Sequence, residues 1–274
     1  MIEVSDHSCG DLFCIEAQKN SEIPHLNMIM KNKSRFENDR GFGLYFFRFS
    51  GELLYVGSYC GSSGVAKDRW WTHLAGISCR FKCANFTNLS SKRDPKLAAL
   101  LANNNLQEID RLLAIYKERF DQTYSTIAEN ENFRQDIFEK LMLVTSHASK
   151  PALTNLLGDG RCSTFERRVK VANDRWDIFR DLSADDISRQ FSFQYIRVSD
   201  RVQEDPLVRF LYSDANELSK KRRLVQRFIE DRLIESLLPP ANKVKPPLSE
   251  EEFDEAVIAA SLRLVDQCLE LAAK

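Results

Sequence analysis

Two short aromatic and apolar runs on either side of a turn constrain this chain more than any other feature. Residues 43–49 read GLYFFRF and residues 53–56 read LLYV, with Ser50-Gly51-Glu52 between them. Strand-forming residues flanking small turn formers predict a β-hairpin. The stretch from Gly57 to Gly64 is a small-residue loop, and over 67–77 Trp70, Trp71, Leu74 and Ile77 fall at helical spacing. The predicted order is strand, strand, loop, helix.

Further along, residues 94–190 read as mostly helical. Leu97, Leu100, Leu101, Leu106, Ile109, Leu112 and Leu113 recur at three and four, as do Phe133, Ile137, Phe138, Leu141 and Val144, and Gly158-Asp159-Gly160 supplies a loop. Residues 191–198, FSFQYIRV, have the aromatic and β-branched content of a third strand. Residues 220–238 follow a helical pattern stopped by Pro239-Pro240. The tail opens with a capping-box arrangement, Ser249 to Glu252, and continues as an acidic amphipathic helix through Val257, Ile258, Leu262, Val265 and Leu269.

With 274 residues, 43% of them hydrophobic and 29% charged, the chain can bury a sizeable core. Its first residues lack the basic and apolar regions of a signal peptide, and no window approaches a membrane span, so the expected location is intracellular, in the cytoplasm. Seven scattered cysteines, an odd number, read as reduced thiols. Cys79 and Cys83, with His73 upstream, are the nearest approach to a zinc pattern, but no second pair accompanies them. The net charge of -1 conceals a segregation: residues 31–90 and 191–246 together carry +8, residues 1–30 carry -4 and residues 247–274 carry -5. A locally basic surface suits a polyanion even on a neutral chain.

Two three-residue words, Gly43-Leu44-Tyr45 and Tyr55-Val56-Gly57, stand on the two predicted hairpin strands, and here the sequence resembles the GIY-YIG nuclease family. Three further elements extend the resemblance. Arg69 and His73 lie four apart on the next predicted helix, hence on one face of it. Glu230 sits among Phe228, Ile229, Leu233 and Ile234, after a strand, as the family's metal-binding glutamate does. Pro239-Pro240-Ala241-Asn242 is similar to the Pro-x-x-Asn that closes the family's domain.

The resemblance implies an α+β fold with a small three-stranded antiparallel sheet flanked by helices. The nuclease domain would comprise residues 31–90 and 191–246, interrupted by a large helical insertion at 91–190. Residues 1–30 form an N-terminal extension in this reading, and 247–274 an acidic C-terminal helix. The implied activity is DNA endonuclease chemistry with one Mg²⁺ or Mn²⁺ per active site, and a homodimer is the expected means of cutting both strands.

The residue types suit that chemistry. Phosphodiester hydrolysis needs an activated water, a stabiliser for charge developing at phosphorus, and support for the leaving oxygen. Glu230 would hold the ion, whose other ligands would be waters and phosphate oxygens. Arg69, shaped for bidentate phosphate contact, would neutralise developing charge. A phenol, ordinarily titrating near ~10, needs cations beside it to act as a base; Tyr45 is assigned that role, with His73 orienting it or taking its proton. Tyr55 would hold the water or the scissile phosphate. Gly57, Ser58 and Lys67 in and after the loop, with Asn242, complete the expected substrate contacts, and the loop's backbone N–H groups could cradle phosphate.

One rival exists for the metal position: Glu139, followed by Lys150-Pro151 and Asn155, imitates the same ending. Glu230 is preferred because a strand precedes its helix. The insertion offers a basic cluster, Arg161, Arg167, Arg168, Lys170 and Arg175, that either contacts DNA or is a solvated face. A rival from another class is a DNA-binding or interaction module that keeps the fold without cutting.

Overall fold

The computed structural model describes residues 2–17, 26–31, 39–61, 64–81, 107, 129–133, 135–136, 165–199, 201, 204–212, 218–245, 248 and 253–273. The chain divides into two compact units, the first comprising residues 1–14, 29–71 and 185–274, the second residues 15–28 and 72–184.

The first unit is built on a four-stranded antiparallel sheet, not the three-stranded one expected from the resemblance. Strands β1 (Ile2–Ser8), β4 (Gly43–Phe49), β5 (Glu52–Tyr59) and β6 (Phe191–Val198) are ordered β1-β6-β4-β5. The extra strand comes from the segment read as an extension. Ile2 lies opposite Val198 and Ser8 opposite Ser192, so β1 supplies β6 with the partner that its β4-distal edge would otherwise lack. After β1 come α1 (Cys9–Leu12) and β2 (Phe13–Ala17), which pairs with β3 (Leu26–Met30) in a second, two-stranded sheet.

The hairpin forms where expected. Phe49 pairs with Glu52 across a two-residue turn in which Ser50 and Gly51 both have positive φ, 48° and 85°, the geometry that matches strand twist. Ser50 N–H also donates to the Gln190 carbonyl at 2.8 Å, tying the turn to the start of β6.

Strand alternation then sorts the side chains onto two faces. On one, Leu44, Phe46, Val56, Ile196 and Val198 join a core with α7 (Pro206–Tyr212), α8 (Leu218–Leu237) and α9 (Glu255–Ala272). On the other, Tyr45, Phe47, Phe193 and Tyr195 lie beneath Trp70, whose indole stacks on Phe193 at 4.7 Å. Residues 249–252, the expected capping box, lie outside the described residues; α9 starts instead at Glu255, with Asp254 as its cap accepting from Ala256 N–H at 2.8 Å.

The predicted helix after the loop has two parts. Ala66–Trp70 is a π-helical turn, and the α-helix proper, α2 (Trp71–Ser78), follows it. Its approach is fixed by a buried carboxylate. Asp39, 1% exposed, accepts from Ser5 Oγ at 2.6 Å and pairs with His7 Nε2 at 2.9 Å, while its backbone oxygen takes the Val65 N–H at 3.0 Å. Asp39 therefore ties β1 to the entry of the π-turn.

In the second unit the described helices are most of α2, α3 (Glu131–Phe133), α4 (Phe165–Asp174) and α5 (Trp176–Phe179). Trp176 meets Phe133 edge-on at 5.3 Å and donates through Nε1 to Asp136 at 3.0 Å; Asp136 also pairs with Arg180. The last helix before β6, α6 (Ala184–Gln190), lies almost wholly in the first unit. Among the described residues no helix is long and apolar enough to cross a membrane.

Candidate functional site

The two tyrosines of the hairpin share a face. Tyr45 lies opposite Gly57 and Phe47 opposite Tyr55, and the two phenol rings stack with centroids 6.1 Å apart. Trp70, next to Arg69, meets Tyr45 edge-on at 6.3 Å. Both tyrosines are nearly enclosed, at 2% and 7% exposure.

The glycines of the two words have a packing reason. A Cβ on Gly57 would fall on the Cζ and hydroxyl of Tyr45, so the ring lies flat across β5 at that point. A Cβ on Gly43 would sit 2.5 Å from Cζ of Tyr195 in the same way. Only glycine lets an aromatic ring cross the neighbouring strand so closely.

Glu230 reaches the same strand from the other face. Ser58 follows Gly57 and points toward α8, where its hydroxyl donates to the Glu230 carboxylate. Burial pushes the Glu230 carboxyl above its ordinary range; the Ser58 hydroxyl, the Lys245 ammonium and then the Arg69 guanidinium work against this, and the neighbouring Asp231 adds to it. Asp231 itself is engaged by Arg227, one turn back, at 3.1 Å. The net effect of this partly buried position at the edge strand is to disfavour the charged form of the carboxylate.

Asn242 secures that edge. Its Oδ1 accepts from the Val56 N–H at 2.7 Å, its Nδ2 donates to the Val56 carbonyl at 2.8 Å, and Ala241 N–H donates to the Leu54 carbonyl at 3.0 Å. These are the outward-facing groups of β5, which would otherwise offer themselves to another strand. The Pro-Pro-Ala-Asn segment is thereby an edge cover, and the Asn242 amide, 2% exposed, spends both ends on backbone.

Of the residues expected from sequence, Tyr45, Tyr55, Gly57, Ser58, Arg69, Glu230 and Asn242 all fall in the first unit on β4, β5, the π-turn, α8 and the loop after it. His73 belongs to the other unit. It lies on α2 in the second unit, 3% exposed, whereas Arg69 is exposed. The π-turn breaks the regular 3.6-residue period from which a shared face was inferred. The Lys67 side chain, Ser62, Ser63, Cys83, Glu139, Lys150, Pro151, Asn155 and Arg161 lie outside the described residues. Lys245 was not singled out from sequence, although it stands only three residues past Asn242 in a segment already read as basic.

One carboxylate with a hydroxyl beside it can hold a divalent ion if water and phosphate complete the shell, which is how Mg²⁺ is commonly bound. The desolvated charge of Glu230 fits such an ion. Among the described residues no group of three or more His, Cys, Asp or Glu side chains is placed to hold a metal, so an ion at Glu230 would depend on those outside ligands. No family model, no curated protein and no solved structure matches this chain.

Proposed function

We propose that the first unit is a divalent-metal-dependent DNA endonuclease of the GIY-YIG type, acting at the edge of β5. The observation that carries the reading is the meeting of Glu230 with Ser58 on the hairpin, 172 residues apart in sequence. A buried carboxylate is an expensive arrangement unless it is paired or serves a cation.

In this reading Glu230 holds Mg²⁺ or Mn²⁺, with Ser58 orienting its carboxylate, and the ion supplies Lewis-acid polarisation of the scissile phosphate. Arg69 binds the phosphate and neutralises charge as the pentavalent centre forms. Tyr55 and Tyr45 border the reacting phosphate from the hairpin, and Tyr45, after its own phenolic proton has passed to solvent, would take the proton of the attacking water. Asn242 acts by holding β5 in place. A homodimer would bring two such sites to the two strands of a duplex.

The near-complete burial of Tyr45 favours a second reading, a DNA-binding module that keeps the arrangement for packing and does not cut. Incubation with supercoiled, linear and branched DNA in Mg²⁺ or Mn²⁺ separates the two. Cleavage by the wild type that falls about 100-fold or more in Arg69→Ala and Glu230→Gln is expected of the nuclease, by analogy with loss of a transition-state charge stabiliser. Absence of cleavage of every DNA form overturns it. Loss of cutting in Glu139→Gln but not in Glu230→Gln would move the metal site.

A further inference from the structure

We propose that Asp39 and His7 are positioning residues for the proposed reaction: through them β1 holds the π-turn at its entry and at its exit, and so sets where Arg69 stands. This inference rests on the nuclease reading and adds two residues that do not themselves meet the phosphate.

Both ends of the turn lead back to the same strand. At the entry no side chain caps the turn, and the Val65 N–H goes instead to the Asp39 carbonyl at 3.0 Å. The Asp39 carboxylate is itself held by β1, where it accepts from the Ser5 hydroxyl at 2.6 Å and meets His7 Nε2 at 2.9 Å. A second backbone bond, Gly41 N–H to the Gly61 carbonyl at 3.0 Å, keeps the two loops together. At the exit Trp70 is fully buried, with the His7 ring 5.8 Å and the Tyr195 ring 6.2 Å from its own. His7 therefore serves both ends, and Arg69 stands between them.

A π-turn is rare, concentrates at functional sites and persists where its surroundings fix it. The Trp70 Nε1–H is buried and has no acceptor among the described residues, so packing and the Asp39 contacts hold the turn, not a hydrogen bond from the indole. Displacing a substrate-binding group by about 1 Å can lower a rate ~100-fold. Residues remote from the phosphate can therefore govern cleavage by fixing this turn.

The test combines hydrogen exchange of the full chain, read by NMR, with cleavage of supercoiled plasmid in Mg²⁺. Asp39→Asn should speed exchange of the Val65 amide about 10-fold or more, the effect of weakening a buried polar contact, while the Ala241 amide on the far edge of the sheet keeps its protection. Glutamine at position 7 keeps a nitrogen for Asp39 without the ring, and phenylalanine keeps a ring without the nitrogen. His7→Gln should therefore retain protection at Val65 and loosen the Trp70 indole, and His7→Phe should do the reverse. Cleavage should fall about 10-fold in Asp39→Asn and no further when that change is added to Arg69→Ala, because a device acting through Arg69 then has nothing to position. A merely structural loss would subtract equally in both backgrounds. Unchanged exchange at Val65 in Asp39→Asn, or equal losses of cleavage in the two backgrounds, overturns the proposal. A wild type that cuts no DNA sinks the nuclease reading, and exchange still decides whether β1 holds the turn.

Discussion

Asn242→Ala tests the edge-cover reading most directly. The amide joins two backbone groups of Val56, a residue with no exposed surface, through bonds of 2.7 and 2.8 Å. Truncation strands a buried N–H and a buried C=O, and each unsatisfied group costs roughly 1–3 kcal/mol. The expected loss is therefore about 2–6 kcal/mol, a large part of the ~5–15 kcal/mol that holds a typical domain together. Asn242→Asp supplies a sharper control. It keeps an acceptor for the Val56 N–H but turns a second oxygen toward the Val56 carbonyl, so its ionised form should be as damaging as Ala. When protonated, the acid can donate to that carbonyl. Its pKa in the folded variant is thus raised above the unfolded value of ~3.9, and the recovered stability should be present below that pH and vanish as pH rises through the folded value. Urea midpoints from pH 3 to 8 give the stability, and amide exchange at Val56 gives the local effect. If Asn242→Ala loses less than ~0.5 kcal/mol and leaves the Val56 amide protected, the cover argument is wrong.

Other outcomes follow from neighbouring features. Gly57→Ala should destabilise by about 1–3 kcal/mol through overpacking against Tyr45, and the cost should largely disappear in a Tyr45→Ala background, a double-mutant cycle readable by thermal melting. Because burial raises the Glu230 carboxyl, its contribution in the metal-free protein is fully present below the ordinary value of 4.5 and is lost as pH rises through the folded one; Glu230→Gln should flatten that part of the melting-temperature profile, and Mg²⁺ should offset the loss only in wild type. Exposed Cys60 should alkylate readily in the native protein, whereas the buried thiols of Cys9 and of Cys268, the latter pushed up to about 12, should react only after denaturation, as mass spectrometry of iodoacetamide adducts would report.

The hairpin, β6 and α8 were legible because their residues are dense in local signal: GLYFFRF and FSFQYIRV are aromatic and β-branched, and Pro239-Pro240 ends a clear apolar period. β1 was not. Its sequence, IEVSDHS, has only Ile2 and Val4 as aliphatics, Val4 is 40% exposed, and its partner β6 is distant in sequence, Ile2 pairing with Val198. Half-exposed edge strands need little apolar patterning, and no window of sequence contains a distant pairing. The π-turn was also hidden, since Trp70, Trp71, Leu74 and Ile77 satisfy a plain helical period; in the structure Trp70, its last residue, packs against His7, Tyr45 and Phe193. At the site, the place of Glu230 on an apolar helix was legible from its neighbours Phe228, Ile229, Leu233 and Ile234. The use of Asn242 on Val56 could not, because a side chain that completes a strand edge has the same spelling as one that meets a ligand.

The central place of β6 in the sheet bears on how this protein is made. A ribosome delivers β1 and the hairpin early and β6 only about 140 residues after the hairpin turn, an interval of roughly 7–28 s at 5–20 residues per second. Throughout that wait β1 has no neighbour and the inner side of β4, with three phenylalanines in seven residues, has none either. A two-stranded ribbon is marginal by itself in water. Nascent chains stalled before Phe191 should therefore be natural clients for chaperones, and fragments ending there should be insoluble.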